Sequence, residues 1–116
     1  ARLLIEKGAD IDKQNDDGLT ALFWAIEYNQ PEIARLLIEK GADINIQNIN
    51  GMTALMFAIH KNQPEIAKIL IEKGADLDKQ NTNGWTALSL ADEVQMIDIA
   101  ELIEQKMKQS GETKKI

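Results

Sequence analysis

The sequence predicts an all-α solenoid of stacked helix-turn-helix units joined by β-turn fingers. Three observations support this prediction. The chain of 116 residues repeats with a period of 33, and its first two blocks, 1–33 and 34–66, agree at 24 positions and differ at nine. Each block contains two helix patterns with turn residues between them. A period of this length is typical of repeat architectures, in which each unit buries its apolar side against its neighbours.

The first helix of each unit is predicted to begin after a threonine and to end at an asparagine. A threonine hydroxyl at the N-cap accepts a hydrogen bond from an N–H of the first turn, and this residue stands at Thr20, Thr53 and Thr86. Asparagine tolerates the positive φ that ends a helix, and it stands at Asn29 and Asn62. An Asn-x-x-Gly turn sequence precedes each threonine, at 15–18, 48–51 and 81–84.

The second helix of each unit is predicted to lie between a proline and a glycine. Pro31 and Pro64 suit the first helical turn, where a missing N–H costs nothing, and Gly41 and Gly74 suit the left-handed residue after the last turn. Apolar residues between them recur at helical spacing, as in Ile33, Leu36 and Leu37. The two helices and the connecting finger make up one unit.

Two recurring stretches resemble the ankyrin repeat, a family that shares the 33-residue length. They are Gly-x-Thr-Ala-Leu-x-x-Ala at 18–25, 51–58 and 84–91, and Leu-Ile-Glu-Lys-Gly-Ala-Asp at 37–43 and 70–76. The chain departs from the family pattern in having TALF, TALM and TALS where Thr-Pro-Leu-His is usual, and Asn-Gln where Gly-His is usual between the helices. The resemblance implies that fingers and first helices form a concave surface that binds partner proteins.

The period divides the chain into five parts. Residues 1–15 are the second half of a truncated N-terminal repeat, 16–48 and 49–81 are complete repeats, 82–109 is a C-terminal capping repeat, and 110–116 is a frayed basic tail. In the cap, Glu104 stands at the position of Ile38 and Ile71, and Met107 replaces the glycine, so the last helix is expected to run on. At the other end, Leu3 and Leu4 lack part of their packing partner, which predicts weak self-association through the N-terminal face.

The net charge and the lack of a long apolar run limit the kinds of partner that the sequence predicts. The formal net charge of −6 disfavours nucleic acid and anionic membranes, and it suits a partner protein with a basic or apolar contact patch. No apolar run approaches the roughly 18–20 residues that span a bilayer. The expected location is the cytoplasm, or the host cytosol if the protein is a secreted effector.

The predicted binding surface follows from a comparison of the units with one another. All nine differences between the first two blocks fall in the finger, the turn or the first helix. Leu19, Met52 and Trp85 share one equivalent position and are predicted to form an apolar ladder with an acidic rim. The predicted partner-binding residues are Asp16, Asp17, Leu19, Glu27, Tyr28, Ile46, Ile49, Asn50, Met52, His60, Lys61, Asn83, Trp85 and Glu93. By contrast, Trp24, Phe57 and Leu90 are assigned to the core, as the inner seam between repeats.

The sequence therefore predicts a protein–protein interaction module without catalysis, cofactor or metal. His60 is the only histidine and the chain has no cysteine, so neither a metal site nor a catalytic triad is indicated. Asp10, Asp43 and Asp76 recur in every finger, which indicates a structural role in the turn. Two alternatives remain open: an engineered or recently duplicated scaffold without a specific ligand, and a small-ligand binder that uses His60, Tyr28 and Trp85.

Overall fold

The structure is a computed structural model that describes residues 11–115, and for residues 109–115 it describes only the backbone. Six helices follow one another in the described residues. These residues contain no strand. The helices are α1 (Ala21–Glu27), α2 (Pro31–Glu39), α3 (Ala54–His60), α4 (Pro64–Glu72), α5 (Ala87–Glu93) and α6 (Ile97–Lys115). Equivalent helices begin 33 residues apart, so the predicted all-α repeat fold is confirmed.

The residues that frame the helices behave as their chemistry predicts. Pro31 is the first residue of α2, and Pro64 is the first residue of α4. Gly41 and Gly74 follow these helices with φ of 99° and 90°. The residues that end the first helices also have positive φ, and they are Asn29 (52°), Asn62 (59°) and, in the last unit, Gln95 (63°). Gln95 shows that the position is left-handed even without asparagine.

The three threonines are the N-cap residues of the first helices, as predicted. The Thr53 hydroxyl accepts a hydrogen bond from the Met56 N–H at 3.3 Å. Thr86 forms a capping box with Ser89, in which each side chain accepts a bond from the other residue's backbone N–H. Thr20 is extended at the same position but makes no side-chain cap bond. The cap is therefore strongest in the last unit.

Helix α6 is the longest of the six and corrects one expectation. It spans 19 residues and continues to Lys115, so residues 110–115 belong to a helix and not to a frayed tail. Met107 stands where Gly41 and Gly74 end the earlier second helices, which removes the left-handed stop. Residues 1–10, including the predicted self-association face at Leu3 and Leu4, lie outside the described residues, and that expectation remains a prediction.

The helices pack in two layers. Each first helix contacts the second helix of its own unit and the first helix of the next unit, and the second helices contact one another in the same order. The core between the layers consists of side chains exposed by 2% or less, among them Leu22, Ile26, Leu37, Leu55, Ile59, Leu70 and Ile103. The described structure is elongated, with extents of 43 × 30 × 22 Å. None of its helices is both long and apolar enough to cross a membrane.

The seam between the first helices differs by one residue from the prediction. At this seam Phe23 of α1 and Met56 of α3 are buried, each 1% exposed. Trp24 is 41% exposed, so its assignment to the core was wrong. Phe57 and Leu90 are half-buried at the edge of the core. One residue along an α-helix turns the side chain by about 100°, which is enough to exchange a buried side for an exposed one.

The last unit presents polar residues where earlier units bury apolar ones. Asp92 is exposed at the position of Ile26 and Ile59, which are both 0% exposed. Glu104 is likewise exposed at the position of Ile71. A terminal unit of a solenoid needs a polar outer face. Asp92 on α5 and Glu104 on α6 give the last unit polar residues of this kind.

Candidate functional site

The fingers begin with a tight turn around the repeated asparagine. The Asn15 carboxamide oxygen accepts hydrogen bonds from the N–H groups of Asp17 and Leu19, both at 2.9 Å, and the Gly18 N–H donates to the Asn15 carbonyl at 2.9 Å. Asn48 and Asn81 repeat the same set of bonds. This side chain replaces a backbone partner and so fixes the turn locally. Each turn therefore holds its two tip residues, 16–17, 49–50 or 82–83, in the same conformation.

Hydrogen bonds between fingers align the tips in a row. The Ile49 N–H donates to the Asp17 carbonyl, and the Thr82 N–H donates to the Asn50 carbonyl, both at 2.9 Å. The Gln47 side-chain amide donates to the Gly51 carbonyl of its own finger and to the Gln80 carbonyl of the next, at 2.8 and 2.9 Å. The tips are thus joined through backbone atoms, and their side chains are left free for other contacts.

The recurring finger aspartates hold turns. The Asp43 carboxylate accepts the Asn45 N–H, and the Asp76 carboxylate accepts the Asp78 N–H, both at 2.9 Å. This supports the structural role predicted for these two residues. Asp10 lies outside the described residues.

The first helices have one exposed side, which we call the first-helix face. Along α1 the buried side chains are Leu22, Phe23, Ala25 and Ile26. The exposed ones are Trp24, Glu27 and Tyr28, spaced i, i+3 and i+4. The face consists of these positions and their equivalents, which are Phe57, His60 and Lys61 on or just after α3, and Leu90, Glu93 and Val94 on or just after α5; Phe57 and Leu90 are half-buried.

Contacts within the first-helix face connect neighbouring units. The rings of Trp24 and Tyr28 stack, with centroids 5.9 Å apart and an interplanar angle of 15°. The Lys61 ammonium lies 3.2 Å from the Glu27 carboxylate and 5.4 Å from the centroid of the Phe57 ring. Lys61 and Glu27 form an ion pair between two neighbouring units. Aromatic, anionic and cationic groups therefore meet on this face.

The predicted partner-binding residues divide into two groups by exposure. Ten are exposed: Asp16, Asp17, Glu27, Tyr28, Ile49, Asn50, His60, Lys61, Asn83 and Glu93. Four are half-buried: Leu19, Ile46, Met52 and Trp85. Met52 packs against the core, so the predicted apolar ladder is partly covered. The structure brings Glu27 and Lys61 into direct contact, and it aligns the tip residues through the backbone.

Sequence reasoning missed two exposed members of the first-helix face. Trp24 was assigned to the core and Val94 was not considered for the surface, whereas Phe57, also assigned to the core, is half-buried and packs against it. The signal was present, because Trp24 lies three and four residues before Glu27 and Tyr28, which are polar or amphipathic. That spacing places all three on one side of a helix.

The described residues contain no group of three or more His, Asp or Glu side chains arranged to hold a metal ion. One surface depression of 340 Å³ is lined by Asn62, Pro64 and residues 95–99, and another of 440 Å³ is lined by side chains of α6. Neither contains a predicted partner-binding residue.

Comparisons with known proteins agree with the repeated geometry. A family model described as ankyrin repeats (many copies) matches three overlapping segments, 1–38, 22–71 and 58–91. A comparison with curated protein sequences finds no significant match. The matched segments together span residues 1–91, well over half of the chain. The chain belongs to the ankyrin repeat family.

Proposed function

We propose that this chain is a protein–protein interaction module that binds its partner through the first-helix face, the finger tips and the finger side chains Leu19, Met52 and Trp85, with no chemistry of its own. Ankyrin repeats are generally protein-interaction modules. The observation that most supports this surface is that four of the nine positions at which the first two blocks differ are exposed in both units. These are 16/49, 17/50, 27/60 and 28/61, and none of them belongs to the core, whereas the differing pair Phe23/Met56 is buried.

The proposed surface exposes apolar groups that folding does not need. Tyr28 and Ile49 are each 65% exposed, and Trp24 and Val94 are 41% and 45% exposed. Aromatic residues are enriched at interface centres because they bury a large area at a small cost in conformational entropy. These four side chains are the apolar part of the surface.

The charge of the surface favours a partner with a basic or apolar contact patch. Asp16, Asp17 and Glu93 are exposed, and no ion partner for them lies among the described residues. The formal net charge of the whole chain is −6. Charges at an interface rim mainly steer the encounter and set its salt dependence.

Peptide selection tests the proposal without a known partner. A phage library of random 12-residue peptides is panned on the wild-type chain, and the affinities of the enriched peptides are measured by titration calorimetry. Trp85→Ala is expected to weaken them by at least about 2 kcal/mol, the usual threshold for an interface hot spot. Helical content is expected to stay nearly intact, because the equivalent positions hold leucine and methionine.

Two charge changes provide the controls. Reversal of both Asp16 and Asp17 to lysine is expected to slow association and to flatten its dependence on salt. Glu39→Lys, on the exposed side of the second helix α2, is expected to change neither quantity. Loss of binding in the Glu39 variant together with full binding in the Trp85 variant would contradict the proposed surface.

A further inference from the structure

Two equivalent pairs of residues on the first-helix face have different chemistry. Positions 24 and 28 of the first complete unit correspond to 57 and 61 of the next. In the second pair, the Lys61 ammonium lies over the Phe57 ring, 5.4 Å from its centroid, and contacts the Glu27 carboxylate at 3.2 Å. The unit 49–81 thus supplies its own cation to its aromatic ring.

The first pair has the ring but not the cation. Tyr28 takes the place of lysine and stacks on Trp24. Trp24 remains 41% exposed, and no ammonium or guanidinium of the described residues lies over its ring. Tryptophan attracts a cation more strongly than phenylalanine because of its larger ring quadrupole. Trp24, the better cation-binding ring of the two, is therefore the one that has no cation of the described residues over it.

Carboxylates complete this environment. Glu27 lies three residues after Trp24 on α1, so the two side chains are neighbours on the helix surface. Its Oε1 atom pairs with Lys61, and the second carboxylate oxygen has no bond recorded among the described residues. Asp16 and Asp17 are exposed at the tip of the finger that leads into α1. The exposed Trp24 ring with the Glu27 carboxylate beside it attracts a cation, although Lys61 offsets part of the Glu27 charge. A planar cation suits the site best, because guanidinium stacks on aromatic rings and also pairs with carboxylates.

We propose that the Trp24–Tyr28 pair binds an arginine side chain of the partner protein, with the guanidinium on the exposed Trp24 ring and Glu27 as its anionic neighbour. This inference rests on the proposed function and adds the chemistry of one partner residue and its place along the stack. Lys61 on Phe57 is the same arrangement formed within the chain, one unit further on.

A pair of short peptides tests the arginine site directly. The probes are acetyl-Gly-Gly-Arg-Gly-Gly amide and the same peptide with citrulline, which keeps the shape of arginine but is neutral. Binding is followed by the indole N–H signals of Trp24 and Trp85 in two-dimensional NMR spectra. The arginine peptide is expected to shift the Trp24 signal more than the Trp85 signal and to bind about two- to fivefold more tightly than the citrulline peptide.

Four variants test the position and the charge dependence of the arginine site. Trp24→Leu is expected to abolish the preference for arginine over citrulline, read on backbone amide signals of α1, while Trp85→Leu keeps that preference. Tyr28→Lys copies the arrangement of the next unit, so the chain would cover Trp24 with its own cation and the preference should disappear. Gln105→Lys adds the same charge on α6, where the side chain is exposed, and is expected to preserve the preference.

The outcomes separate this inference from the proposed function. Equal binding of the two peptides, no shift with either peptide at millimolar concentration, or an unchanged preference in Trp24→Leu would overturn the arginine site. The proposed function would then still be decided by the selected peptides and Trp85→Ala. If the selected peptides do not bind the proposed surface while the preference for arginine depends on Trp24, the proposed function is contradicted instead.

Discussion

Gln63 has a buried side-chain oxygen that lacks a hydrogen bond. This holds for no other buried side-chain polar atom among the described residues. A buried acceptor without a donor costs about 1–3 kcal/mol. The equivalent residues are Gln30, which is exposed, and Met96, which is half-buried. The last unit therefore already has an apolar side chain, Met96, at this position.

Gln63→Met is expected to stabilise the protein. The change removes the unpaired oxygen and keeps an unbranched side chain of similar length, so the free energy of unfolding should rise by roughly 1 kcal/mol. Urea denaturation followed by circular dichroism measures it. The matched control is Gln30→Met, which should stay within about 0.5 kcal/mol of wild type because the side chain is exposed. A loss of stability in the Gln63 variant would show that its oxygen is satisfied in solution.

At the scale of elements, the fingers permit a sharp comparison between glycines. A Cβ atom on Gly51 would lie 2.9 Å from the Asn81 Cα and 2.9 Å from the Thr82 nitrogen, whereas one on Gly84 would meet nothing within 4 Å. Both residues have positive φ, at 76° and 84°. The two positions share a backbone conformation and differ in whether another finger lies on them.

Gly84→Ala and Gly51→Ala should therefore differ in stability. Gly84→Ala should lose only the free energy of placing alanine in a left-handed conformation, about 1–2 kcal/mol. The second must also push back the next finger and disturb the bond from Thr82 to Asn50, which should add about 1–3 kcal/mol. Chemical denaturation of both variants measures the difference. Equal losses would mean that the fingers do not contact each other in solution as closely as described.

Helix ends were predictable from the sequence, whereas the rotation of the first helices was not. Proline, threonine, asparagine and glycine act through local backbone geometry, so each fixes an end without knowledge of the neighbours. In α1 and α3, by contrast, the runs Leu-Phe-Trp-Ala-Ile and Leu-Met-Phe-Ala-Ile are apolar throughout. Such a run in a helix of seven residues does not show which side is buried. Packing against the next unit decides it.

The candidate surface was predictable in its position but not in its composition. Differences between the units marked the fingers and first helices, because the shared scaffold limits variation elsewhere. The same comparison did not separate Phe23 from Trp24, since both differ between units, and only one is exposed. The contact between Lys61 and Glu27 joins two units, and the sequence of a single unit contains no sign of it.

At the scale of the whole molecule, the main helix–helix contacts among the described residues lie within a unit or between adjacent units. Stability should then be a sum of unit and neighbour terms. Leu37, which is 1% exposed in the second-helix layer, should lose roughly 2–5 kcal/mol on substitution by alanine. Leu102 is half-buried on α6, so Leu102→Ala should cost less. Denaturant titrations measure both, and equal losses would argue against a graded stack.

The bonds between finger tips have a consequence for how such a protein changes over generations. Ile49 and Thr82 donate through their backbone N–H groups, and Asp17 and Asn50 accept through their carbonyls, so the identity of a tip side chain does not enter the bond. A point mutation at a tip can therefore alter what the protein recognises while the scaffold is inherited unchanged. Natural selection can act on recognition and on folding separately, and the three tips already differ from one another at the first position, while at the second Asp17 stands where the other two tips have asparagine.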